Sequence, residues 1–216
     1  AREMGVPIAK LICASNSNNV LTDFIRTGTY DRNRTFYNTM SPSMDILISS
    51  NLERLLLALT QDVDEVKGYM EQLNATGRYQ VRDAVREKIQ KLFCGYCCDD
   101  KETQRVIDEV YEKYEYLIDP HTAVAVSALE QYRAETGDNT PCVVVSTASP
   151  FKFCDNVLGA LGEKEIAPGL DALDQLSEKT GLPAPTPLAS LRNKPIRFTQ
   201  EVAKEHMEDA VLSMLE

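Results

Sequence analysis

The 216 residues predict an α/β fold: a partial three-layer α/β/α arrangement with a mostly parallel sheet, plus a helical block. Three observations lead there. Apolar runs near residues 8–14, 44–48 and 142–146 each break into a polar turn and then into helical periodicity, the unit from which parallel sheets are built. The third run, Val143-Val144-Val145, is β-branched throughout, as strands buried on both faces are. Between the second and third units, residues 62–117 carry mixed-charge helical patterns.

Taken in order, Ala1 to Gly5 reads as the last turn of a helix, with Gly5 as its left-handed stop and Pro7 just beyond. No capping residue, initiator Met or signal-like run precedes it, so the expectation is a chain that continues upstream. The first unit runs from Ile8 to Ala14, through Ser15-Asn16-Ser17-Asn18-Asn19, into a helix from about Val20 closed by Gly28. Asn and Ser at such a junction are strong caps. The second runs from Met44 to Ile48, through Ser49-Ser50-Asn51, into a helix opening Leu52-Glu53-Arg54. Ser50 and Glu53 have capping-box spacing.

The helical block reads as Asp62 to Ala75 stopped by Gly77, then Tyr79 to Phe93, then Asp100 to Tyr116. Arg78, Arg82 and Arg86 recur at i+4, but Asp83 and Glu87 interleave with them, the pattern of a solvated face. Asp119 then caps a helix with Pro120 at its first position, running to Gly137. Its first turns are apolar nearly all round, which predicts burial against the sheet, and His121 reads as a structural hydrogen-bonder there. In the third unit Ser146, Thr147 and Ser149 follow the valines. Pro150 is suited to the first turn of a helix ending near Gly162.

Beyond Gly162 the chain is loop-rich. Leu182 to Pro187 has alternate prolines and reads as an extended linker. Thr199 to Leu215 reads as a closing amphipathic helix that docks through Ala203, Met207, Ala210, Val211 and Met214. The expected division is residues 1–61 with 118–162 as one α/β part, 62–117 as the helical block and 163–216 as the tail.

Composition bounds the function. At 43% hydrophobic the chain can bury a core, while a net charge of −10 argues against nucleic acid and against anionic membrane surfaces. No apolar run approaches the roughly 20 residues of a membrane helix. Cys94, Cys97 and Cys98 lie close together, but neither His121 nor His206 stands at ligand spacing from them, so no metal is expected. Disulfides are not expected either, and the setting reads as cytoplasmic.

A strand that ends in hydroxyls beside a helix N-terminus gathers donors and a favourable dipole at one point, where an anion or a ring nitrogen can sit. Helix capping alone accounts for the same bare pattern. The residues go further. The segments 118-IDPHTAVAVSALEQY-132 and 142-CVVVSTASPFKF-153 resemble the C-terminal part of threonine synthase, a pyridoxal-phosphate enzyme of the tryptophan-synthase-β type (fold type II). So do 11-LICASNSNNVLTDFIRTGTY-30 and 41-SPSMDILISSNLERLL-56, and the four run in the family's order.

The resemblance implies conversion of O-phospho-L-homoserine and water to L-threonine and phosphate, with pyridoxal phosphate as cofactor. It implies that Thr147, with Ser146 as the fallback, gives its hydroxyl to the cofactor's ring nitrogen. Lys152, Asn51, Arg54 and Asn19 are the candidates for meeting the substrate phosphate. The family's Schiff-base lysine and its phosphate-binding loop lie upstream of these motifs, and nothing like either surrounds Lys152. The isolated chain is therefore expected to be inactive, with the upstream part of the same protein as its partner and a homo-oligomer possible. Two alternatives stay open: another fold-type II enzyme, such as a dehydratase or cysteine synthase, or a non-catalytic phosphometabolite-binding domain.

Overall fold

A computed structural model describes residues 1–197 and 199–215, so Phe198 and Glu216 of the expected tail lie outside the described residues. The chain builds a partial α/β fold. A short turn at Arg2–Met4 stops at Gly5 in the left-handed conformation, as the opening residues predict. Strand β1 (Leu11–Ser15) leads through the Asn-rich junction into helix α1 (Val20–Thr27), closed by left-handed Gly28. Then come β2 (Thr29–Asp31), α2 (Leu52–Thr60), α3 (Val63–Thr76), β3 (Arg78–Gln80) and α4 (Asp83–Leu92). These are followed by β4 (Phe93–Cys97), α5 (Asp100–Tyr114) and α6 (Pro120–Thr136). The remaining helices are α7 (Cys154–Ala160), α8 (Asp171–Thr180), α9 (Thr186–Ala189) and α10 (Met207–Ser213).

β1 and β4 pair in parallel from Leu11↔Phe93 to Ser15↔Cys97. β2 and β3 pair antiparallel, with Tyr30 opposite Tyr79. Two main cores result. One gathers Val20, Phe24, Leu56, Leu73, Val85 and Ile89 around the stacked Tyr30 and Tyr79 rings, whose centroids are 5.3 Å apart. The other joins α5 to α8 through Val106, Ile107, Ala123, Val157, Leu158 and Leu176. Each fully buried aliphatic or aromatic side chain of this size contributes about 1.5–3 kcal/mol. α6 lies against both β1 and β4, and its buried Pro120, Ala123, Val124 and Ala128 bear out the burial read from its all-round apolar start.

Two of the three expected strands do not form. At 44–48 the chain makes a short turn, Pro42–Met44, followed by irregular backbone. Side chains, not a ladder, meet its polar groups. The Asp45 carboxylate accepts from the Thr39 amide at 3.0 Å and the Thr39 hydroxyl at 2.7 Å. The Tyr30 hydroxyl donates to the Leu47 carbonyl and accepts from the Ser49 amide. At 142–146 the backbone is irregular, with Val143 90% and Val145 71% exposed. A β-branched run becomes a strand only beside a partner, and among the described residues none pairs with it.

The strand that does complete the parallel pair, Phe93 to Cys97, was masked by an expected helix running to Phe93. α4 starts at Asp83 because Tyr79 is committed to β3. The capping box at Ser50 and Glu53 is absent: α2 begins after Asn51, which makes no side-chain capping bond, and Asn19 makes none for α1. The expected linker turns helical at Thr186, although Pro185 has polyproline geometry. The terminal helix is short, and Met207, Val211 and Met214 stay exposed instead of docking. Among the described residues no helix is long and apolar enough to cross a membrane.

Candidate functional site

Three polar segments are linked by side-chain hydrogen bonds beside the β1–α1 junction. The first follows β1. Asn16 and Asn18 are almost fully buried, and both donate to the Asp45 carboxylate, at 2.7 and 3.0 Å. Asn16 also reaches the hydroxyls of Thr39 (2.7 Å) and Ser41 (3.0 Å), while Asn18 both donates to and accepts from the Tyr37 backbone at 2.9 Å. Buried amides satisfied this fully cost little to desolvate, and they lock residues 37–45 against the end of β1.

The second segment is the start of α6. Asp119 is fully buried, and its carboxylate accepts from the His121 amide at 2.9 Å, a capping bond that bears out its reading as the cap. His121 Nδ1 lies 2.8 Å from the same oxygen, and His121 Nε2 accepts from the Ser43 amide at 3.2 Å. A ring nitrogen that accepts an amide proton carries none itself, so His121 is the neutral Nδ1–H tautomer. It ties α6 to the 42–44 turn, with its ring 4.8 Å from that of Phe153. This is the structural role its position predicts.

The third segment is the hydroxyl turn. Thr122 donates to the second oxygen of Asp119, and Thr122 Oγ1 lies 3.0 Å from Ser146 Oγ. Thr122 is the donor toward Ser146 Oγ as well, so its hydroxyl bridges Asp119 and Ser146. Thr147 is exposed and makes no hydrogen bond among the described residues. Ser149 caps the turn that follows, accepting from the Phe151 amide at 3.3 Å.

The remaining sequence-predicted residues are dispersed. Asn19 is occupied: it accepts from Arg34 at 3.0 Å and leans on Asp23. Asn51 and Arg54 stand exposed at the start of α2, on the side of the tyrosine core, and Lys152 is exposed beside Phe153. Among the described residues neither Arg54 nor Lys152 makes an ion pair, and no hydrogen bond joins either to Ser146 or Thr147. A cleft of about 240 Å³ opens beside Asn51, lined by Tyr30, Ser49, Ser50 and Glu53 among others. Ser146 and Thr147 are not part of it.

The arginine stripe is a solvated face: Arg82 pairs with Glu65 at 2.5 Å and Arg86 with Asp83 at 3.1 Å. Cysteine chemistry is not prepared here. Burial pushes the Cys13 and Cys154 thiols up to about 11 and raises Cys94 and Cys98, holding all four protonated near neutrality. What sequence reading missed is the binding partner of each element, namely Asp45 for the two asparagines and Thr122 for Ser146. The signal was present: 15-SNSNN-19 supplies more polar side chains than one helix cap requires.

Comparison with known proteins bears on the family. Residues 122–211 match the family described as "Threonine synthase, C-terminal". The chain is 42% identical over 168 residues to human "Threonine synthase-like 1", covering 77% of this chain and 22% of that protein. It is 37% identical over 202 residues to the threonine synthase of Saccharomyces cerevisiae, covering 83% of this chain and 39% of that one. The crystal structure of yeast threonine synthase superposes with a TM-score of 0.83 at 32% identity, over 99% of this chain and 43% of that one. A PLP-bound threonine synthase from Brucella melitensis gives 0.79 at 33%, over 98% and 41%. This chain thus spans less than half the length of these relatives. With the polar segments in place and these likenesses beside them, the chain belongs to the threonine synthase family, matching the C-terminal portion of its members.

Proposed function

We propose that this chain supplies one wall of a pyridoxal-phosphate site in an enzyme that converts O-phospho-L-homoserine and water to L-threonine and phosphate. The observation that carries the reading is the hydrogen-bond arrangement of the hydroxyl turn. Ser146 is engaged by Thr122, whereas the Thr147 hydroxyl is exposed and makes no hydrogen bond among the described residues, so of the two adjacent hydroxyls Thr147 is the one left to meet a ligand. A pyridine nitrogen that is not protonated needs a hydroxyl donor. The residues therefore fit the cofactor, with Thr147 as the ring-nitrogen partner and Ser146 as the neighbour that fixes the turn. When bound, pyridoxal phosphate withdraws electrons from the bonds around the substrate's α-carbon.

The chain's own part is to bind and orient. A neutral hydroxyl holds the ring by one hydrogen bond without adding charge. Substrate phosphate calls for cationic donors. Arg54 and Lys152 are cations without ion pairs among the described residues, with Asn51 beside the former, whereas the Asn19 amide is already engaged. The resemblance puts the Schiff-base lysine and the cofactor-phosphate loop upstream of this chain's motifs. On this reading the isolated chain does not turn over.

The test is a paired assay on the full-length protein and on this chain alone. Stoichiometric release of phosphate and threonine by the former, and none by the latter, supports the proposal. Borohydride reduction that left one pyridoxyl-lysine on the isolated chain would contradict it and point to Lys152.

A further inference from the structure

Asp119 does more than a helix cap has to do. Capping requires one bond, and the His121 amide provides it at 2.9 Å. The buried carboxylate makes two others: the His121 ring fixes one oxygen at 2.8 Å, and the Thr122 hydroxyl occupies the second. His121 is in turn held by the Ser43 amide at 3.2 Å, so the orientation of Asp119 is anchored from the 42–44 turn. The same Thr122 hydroxyl donates toward Ser146 Oγ at 3.0 Å, so it bridges the buried carboxylate and the hydroxyl turn.

We infer that Asp119, acting through Thr122, is a positioning residue for the hydroxyl turn: it orients Ser146 and so aims Thr147 into the site. This rests on the proposed function above, where Thr147 meets the cofactor ring. The physical logic is a chain of hydrogen bonds from a buried anchor. The carboxylate fixes the Thr122 side chain, and the Thr122 hydroxyl in turn holds Ser146. The backbone that carries Ser146 is irregular and outside any ladder, so side-chain bonds define it. Without that chain, the turn keeps the Ser149 side-chain bond to the Phe151 amide and the backbone bond from the Lys152 amide at its far end.

Asp119→Asn separates this role from capping, because Asn caps as well as Asp. Its amide, however, has one acceptor atom and cannot serve both His121 and Thr122. In the full-length protein, Asp119→Asn and Thr122→Val should each raise the dissociation constant for pyridoxal phosphate roughly tenfold. Both should shift the absorbance of the bound cofactor, and Thr122→Ser, which keeps the hydroxyl, should restore both properties. Should Asp119→Asn fail to fold, the Thr122→Val and Thr122→Ser pair decides.

A variant pair with lowered unfolding midpoints, unchanged cofactor affinity and unchanged absorbance would overturn the inference and leave a purely structural network. Thr147→Val serves as the reference. Weakened binding in Thr147→Val with no change in Thr122→Val overturns the positioning role alone. Unchanged binding in Thr147→Val overturns the reading of the site and the positioning role with it.

Discussion

Gly95 of β4 packs so closely under Thr22 of α1 that a Cβ added to it would fall 2.8 Å from the Thr22 Cα. The approach is fixed from both sides, because the Thr22 hydroxyl is shared between Ser15 Oγ and the Tyr96 carbonyl, each at 3.1 Å. The contact is made with backbone and cannot be relieved by rotating a side chain. Gly95→Ala should therefore push α1 off the β1–β4 pair and cost about 1–3 kcal/mol. Urea unfolding of the two proteins checks this, with a lowered midpoint at unchanged slope expected.

The turn after α6 is held by a carboxylate. Hydrogen bonds from the Thr140 hydroxyl (2.6 Å), the Tyr132 hydroxyl (2.6 Å) and the Thr140 amide (2.9 Å) keep the Asp138 carboxyl at about 2. The ordinary aspartate value is about 3.9. A group whose folded value is lowered stabilises the fold fully above its unfolded value and loses that contribution as pH falls through the folded one. The turn should thus stay intact down to about pH 4 and open between there and about pH 2. Carboxyl NMR titration of Asp138 should give a midpoint near 2, and one near 4 would count against the network.

Val143 and Val145 present apolar side chains and backbone outside any ladder, and such segments seek a partner strand. The isolated chain is predicted to self-associate through this segment. Sedimentation should show a dimer or larger species, which the double substitution Val143→Lys, Val145→Lys converts towards monomer. A wild-type chain that sediments as a strict monomer would contradict the prediction.

These outcomes show what a sequence can carry. Helices were legible because their signals are local: Asp62 and Asp119 cap where they should, and Gly28, Gly77 and Gly137 stop α1, α3 and α6 in the left-handed conformation. Strands were less so. Residues 44–48 have the apolar pattern, but Asp45 sits among Thr39, Asn16 and Asn18, and those bonds between distant residues replace a ladder. Phe93 to Cys97 follows α4 with no turn residue to mark the change, and only its pairing with β1 defines it as a strand. The hydroxyl turn was visible as a motif. Which hydroxyl is left unengaged was not, because that depends on Thr122, 24 residues before Ser146.

The account turns on Thr147, and cofactor titration of Thr147→Val in the full-length protein tests it most directly. Valine keeps the shape and removes the hydroxyl. Loss of one hydrogen bond to a buried ring costs about 1–3 kcal/mol, so the dissociation constant for pyridoxal phosphate should rise roughly tenfold to a hundredfold. Thr147 bonds to nothing else among the described residues, so the unfolding midpoint of the apo-protein should move little. An unchanged cofactor titration would contradict the account and remove Thr147 from the site.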